Sequence, residues 1–171
     1  METKVTSHIV KGLIIALILI VFGIAIYLGG LIGNKSVAMV QYLILFVGIC
    51  YGCISYSNQL NHNVTFGNVF THGFKITAVT TVIMVAYTVI AIKFIFPEMV
   101  NLSLDQARES LEKNNMSDEQ IEKATSLTKK FFLPFAIAGI LVGFMIFGLI
   151  SSLIGAAIAK KKPQGPFVQQ G

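Results

Sequence analysis

Cys50-Tyr51-Gly52-Cys53 is a C-x-x-C. On a helix, residues three apart share a face, so the pair could serve as the thiol couple of a membrane oxidoreductase. Such an enzyme needs a second cysteine pair to relay electrons to its substrate, and the chain has only two cysteines. No charged neighbour in sequence is placed to activate a thiolate. The expectation for Cys50 and Cys53 is small packing residues. His8, His62 and His72 are the second constellation. Three histidines can bind zinc, yet there is no H-x3-H and no paired carboxylate and histidine. They read as polar residues at a membrane interface, so no metal and no cofactor is expected. Proton-coupled transport usually marks itself with a carboxylate buried in a span, and the apolar stretches contain none. The carboxylates of 98–130 alternate with bases and form no acid/base pair. The expectation is a protein that is not an enzyme.

These residues need elements to position them, and composition says which kind. Of 171 residues, 54% are hydrophobic and 12% charged, against about 25% charged in a typical soluble domain. Mean hydropathy is +0.75. Soluble globular and disordered classes are excluded. The net charge of +5 comes without a basic stripe interleaved with aromatics, so nucleic acid is not an expected partner. The partner implied is the lipid bilayer.

Residues 12–34 carry no charge. These 23 residues make ~34 Å of helix, enough for a ~30 Å hydrocarbon core. The run is too long for a cleaved signal peptide, whose apolar region is about 7–15 residues, so it reads as a retained first helix. The expected spans are 12–33, 37–56, 74–96 and 131–159, within one domain, 1–162. Residues 163–171 read as a disordered tail. The fold class is all-α: a polytopic membrane protein of four transmembrane helices, with a helical extracytoplasmic loop, 98–130, between the third and fourth. Lys75 and Lys93 sit near the ends of the third span and can snorkel. Pro134 is expected to kink the fourth span or mark its entry.

Orientation rests on the positive-inside rule. With the N-terminus inside, Lys4, Lys11, Lys75, Lys160, Lys161 and Lys162 face the cytoplasm; Lys35, Lys93, Arg108, Lys113, Lys123, Lys129 and Lys130 face outward. Six against seven does not decide, and the cluster at 160–162 favours both termini inside.

Two loops stand out. In 98–130, Ser103 with Gln106 and Ser117 with Gln120 each fit a capping box. The segment reads as an amphipathic helical hairpin or as extensions of the third and fourth spans. In 57–73, Phe66, Phe70 and Phe74 fall on one helical face, and Thr65 is placed to cap them. A short interfacial helix bending into the third span is expected, with Thr65, Phe66, Gly67, Phe70, Gly73 and Phe74 as its candidate residues.

The stretch Thr65-Phe66-Gly67-Asn68-Val69-Phe70, followed by Gly73-Phe74, resembles the signature loop of the domain of unknown function 4199 (DUF4199) family. The exit Phe94-Ile95-Phe96-Pro97-Glu98-Met99 and the glycine- and alanine-rich last span ending in lysines are similar too. The resemblance covers about 5–162. It implies a small four-span protein of the bacterial inner membrane, of the kind found in Bacteroidetes. It implies no activity and no catalytic residue.

Within the bilayer, small residues are the clearest pattern. Gly29 and Gly33, Gly48 and Gly52, and Gly139 and Gly143 are G-x-x-x-G pairs, and Ser152 with Ala156 continues the pattern. Close helix approach in lipid needs such positions. They could serve packing within the chain, a homo-oligomer or a membrane-protein partner. Thr77, Thr81 and Thr88 lie roughly on one face and could bond across helices. The leading expectation is a non-enzymatic structural or interaction component. The alternatives are a small transporter or channel and, third, a thiol oxidoreductase using Cys50 and Cys53.

Overall fold

The structure, a computed structural model, describes residues 5–31 and 34–162. Five α-helices form it: α1 (His8–Leu28), α2 (Lys35–Gln59), α3 (Phe66–Ile90), α4 (Met99–Lys113) and α5 (Asp118–Ile158). A π-helical turn, Ala91–Ile95, continues α3. Four helices are long and apolar enough to cross a membrane. Val21, Val47, Val82 and Val142, one on each of them, are 65%, 56%, 68% and 60% exposed. Branched apolar side chains bared at this level on every long helix suit lipid rather than water. The chain is a multi-pass membrane protein.

Side chains set where these helices begin. Ser7 accepts from the Val10 N–H at 3.3 Å, Asn34 from Ser36 at 3.0 Å and Thr65 from Asn68 at 3.1 Å. At α5, the Gln120 side chain accepts from the Ser117 N–H, the reciprocal half of a capping box. The other expected box does not form. α4 starts at Met99, which puts Ser103 inside it. Thr65→Ala should cost about 1 kcal/mol. The check is unfolding in mixed micelles, with the exposed Thr71→Ala unchanged beside it.

The first span lies about a turn earlier than 12–33, because Ser7 caps it and Gly29 and Gly30 end it. Gly30 adopts φ +66°, a left-handed conformation that glycine takes without steric cost. Lys11, read from sequence as a flanking charge, is therefore inside the helix. The third span also starts early. Residues 66–73 are the first two turns of a continuous α3, not a separate interfacial helix, because the Thr65 cap feeds the helix directly.

Pro134 acts at a distance along α5. It has no N–H and its ring crowds the carbonyl four residues back. The helix departs from regular geometry at Phe131 (φ −108°, ψ 15°). Membrane span and cap are thus one kinked helix, and α4 packs on it. The loop 98–130 combines both sequence alternatives: α4 is a separate helix, and the start of α5 extends the fourth span.

α3 is the central helix. It packs most extensively on α5 and then α1, while α2 packs chiefly on α5. Leu19, Leu45, Ile49, Val69 and Ile76 form the fully buried core. The hydroxyls of Thr77 and Thr81 are satisfied within α3, by the Gly73 and Thr77 carbonyls. Thr80 alone of these three crosses helices, reaching the Gly12 carbonyl of α1 at 3.1 Å.

The turn after α2 is strained. Asn61 and His62 have φ of 51° and 63°, a conformation that costs non-glycine residues energy. Ser57 holds it: its carbonyl accepts from the His62 N–H at 2.8 Å, and its hydroxyl lies 3.2 Å from His62 Nδ1. The same hydroxyl donates to the Lys160 carbonyl, and the Lys162 N–H donates to the His62 carbonyl at 2.9 Å. The hairpin tip is thereby tied to the end of α5.

Candidate functional site

The bundle has two unlike ends. At one end, the first turns of α1 and α3 meet the last turns of α2. Lys11 points inward and is only 9% exposed. Its ammonium donates to the Gly52 carbonyl at 3.1 Å and lies 3.3 Å from His72 Nε2. It also lies 5.9 Å from the Tyr56 ring centre, over its face. His72 stacks on Tyr56 at 4.0 Å and meets His8 edge-on at 6.1 Å. A lysine ammonium has no acceptor, so the His72 Nε2 accepts and its Nδ1 carries the ring proton. Burial of a charge demands this kind of pairing. Sequence reasoning missed the trio of Lys11, Tyr56 and His72. The signal was Ser7: a cap there puts Lys11 one turn into the membrane helix.

His62 is engaged by Ser57 instead, and among the described residues no group of three histidine, cysteine or acidic side chains is placed to hold a metal. Cys50 and Cys53 are both free and buried. Cys50 lies 3.5 Å from the Ser151 carbonyl and Cys53 3.8 Å from that of Val69. Both should resist an impermeant maleimide in the folded protein and label after SDS unfolding. Prompt labelling of folded protein would contradict their placement.

Above this cluster the bundle narrows to a waist. A Cβ added at Gly12 would sit 2.8 Å from Val79, at Gly48 2.9 Å from Ile15, at Gly52 2.6 Å from Ile76 and at Gly73 2.5 Å from Cys53. At Gly148 it would collide with the Thr77 side chain. Ser152 and Ala156 are fully buried there. Of the small residues singled out by sequence, Gly48, Gly52, Ser152 and Ala156 belong to this waist. Gly143 faces Tyr42 Oη, 2.9 Å from an added Cβ, whereas Gly139 meets nothing within 4 Å. Gly29 is the C-cap of α1, and Gly33 lies outside the described residues. Gly12, Gly73 and Gly148 were not read as packing positions; what presses on them, Val79, Cys53 and Thr77, stands on other helices.

At the opposite end the helices part. They leave between them a half-open chamber of about 430 Å³, lined by all four long helices: Leu19, Gly23 and Tyr27 of α1, Val37 and Gln41 of α2, Met84, Tyr87 and Thr88 of α3, and Ala136, Ile140 and Phe144 of α5. The lining is mainly apolar. An added Cβ at Gly23 would meet nothing within 4 Å. Phe96 and Met99 close the chamber from the capped side. Tyr27 holds that closure in place: its hydroxyl donates to the Glu98 carboxylate, and its ring lies 3.9 Å from that of Phe96.

The phenylalanine face runs along the outside of α3. Phe66, Phe70 and Phe74 follow one another at 6.4 and 6.1 Å, and Lys161 sits over Phe66 at 5.7 Å. Thr65 caps the helix, Gly67 is exposed, and Gly73 turns the other way, into the waist.

Residues 11–161 match the family described as protein of unknown function DUF4199. The chain belongs to that family. No match was found among curated proteins or among solved structures. The region matched to DUF4199 contains the waist, the chamber and the trio of Lys11, Tyr56 and His72.

Proposed function

We propose that this DUF4199 protein is a non-enzymatic membrane protein that works by binding, and that its chamber holds an apolar chain such as a lipid tail or an isoprenoid. The observation that carries this is the contrast along the bundle. At the waist, small residues bring helices into contact. In the chamber, Gly23 and Ala136 line open space that no side chain fills. Protein interiors close up such voids, and about 430 Å³ is the scale of a small-molecule site. Tyr27, Gln41, Tyr87 and Thr88 supply a few polar groups along an apolar wall, the usual composition of such a site. The protein sits in the bacterial inner membrane with both termini cytoplasmic, a reading supported by the lysines at 160–162. The capped end then faces outward, and homo-oligomeric or membrane-protein partners meet the exposed apolar faces.

The test is retention. Protein purified from its own membrane should keep one apolar molecule per copy through detergent washing, as read by native mass spectrometry. Gly23→Phe should fill the chamber and cut that retention by at least about tenfold, with the melting temperature preserved. Equal retention in the variant would reject the reading.

One observation favours a second reading, a small carrier. The chamber and a polar cleft at the Lys11 end lie on opposite sides of the closed waist. Liposomes containing purified protein should then become permeable to a solute.

A further inference from the structure

The polar cleft has a volume of about 380 Å³ and lies outside the chamber. His8 of α1, Tyr56 of α2, and Asn68, Thr71, His72 and Lys75 of α3 line it. Thr6 and Ser7 complete its rim, and Gln59 clamps Thr6 by accepting from its N–H at 2.8 Å and donating to its Oγ1 at 3.1 Å. Among the described residues, the charges near the cleft are positive. Lys75 is exposed on its wall, and Lys11 stands behind the His72–Tyr56 stack. All carboxylates among the described residues fall in 98–122, beyond the chamber at the other end of the bundle. Residues at the N-terminus of α1 line the cleft as well, where the helix dipole favours negative charge. Lys11 is buried, and no carboxylate among the described residues pairs with it, so it adds to the pull on an anion.

We propose that this cleft binds a phosphate group, carried by a lipid headgroup or free in solution, through Lys75, His8 and His72. The hydroxyls of Ser7 and Thr71 and the Asn68 amide add neutral donors at its rim. Lys11 is a positioning residue: by donating to Nε2 it keeps the ring proton of His72 on Nδ1. This inference does not depend on the occupant of the chamber.

The experiment uses the full chain, delipidated in detergent. Two probes are compared: phosphatidylglycerol against diacylglycerol of the same chains by native mass spectrometry, and inorganic phosphate by calorimetry. Wild type should bind phosphatidylglycerol over diacylglycerol, or inorganic phosphate directly. Lys75→Gln and His8→Gln, at exposed and half-buried positions, should each weaken that binding by about tenfold without moving the melting temperature. Binding of phosphatidylglycerol alone assigns the phosphate to a headgroup; binding of inorganic phosphate assigns it to a free ion. Lys11→Met should also shift the imidazole nitrogen-15 signals of His72 away from the Nδ1–H pattern, which a merely structural lysine would leave in place. The proposal is overturned if neither probe binds, or if Lys75→Gln and His8→Gln both bind as wild type does.

Discussion

Gly148→Ala lowers the stability of the bundle by about 1–3 kcal/mol, the range for overpacking a filled interior, whereas Gly139→Ala on the same helix leaves it unchanged. Both substitutions add one methyl group and both raise helix propensity, so propensity cannot separate them. Surroundings can. A methyl group on Gly148 would run into the branched side chain of Thr77, which is fully buried. Threonine is stiff at χ1, and the Thr77 hydroxyl is held by the Gly73 carbonyl at 3.2 Å. The collision must therefore be relieved by moving α5 away from α3, the largest helix contact in the molecule. A methyl group on Gly139 meets open space. Unfolding in mixed micelles measures both variants, and equal values would contradict the waist.

His72→Ala is expected to cost about 2–4 kcal/mol. A single interhelical hydrogen bond in a membrane averages only ~0.6 kcal/mol, so the bond alone does not account for this size. Two further losses do. The ring stacked on Tyr56 at 4.0 Å disappears, and the Lys11 ammonium, 3.3 Å away, loses its acceptor. A buried charge left without its partner is the costly part. A double-mutant cycle isolates it. In a Lys11→Met background no ammonium is stranded, and His72→Ala should cost less by about 0.5–3 kcal/mol. Strict additivity would mean that Lys11 and His72 are neighbours without coupling.

Much of the architecture was legible in the sequence. Long apolar runs, charged only near their ends, show the four membrane helices, because charge deep in a span is costly in lipid. Ser7, Thr65 and Ser117 were available as cap residues, yet only the latter two were used to place helix starts. Overlooking Ser7 put α1 a turn too late and hid Lys11 in a flank. Small-residue spacing within one helix found Gly48 and Gly52. It did not separate Gly143 from Gly139, nor find Gly148. Whether a glycine is pressed depends on what stands opposite, here Thr77, and that residue is 71 positions away. The chamber had no signal at all: it arises from the divergence of four helices, which no local pattern encodes. The lysine–histidine cluster is likewise assembled from residues 11, 56 and 72 on three helices.

The most direct measurement is an experimental structure of the full chain in lipid nanodiscs. An elongated apolar density is expected between Met84 of α3 and Ala136 and Phe144 of α5, with Gly23 of α1 against it and Tyr27 still bonded to Glu98. Helices α1 and α5 drawn together at the capped end, with Gly23 and Ala136 in contact with protein and no room for a chain between them, would contradict it.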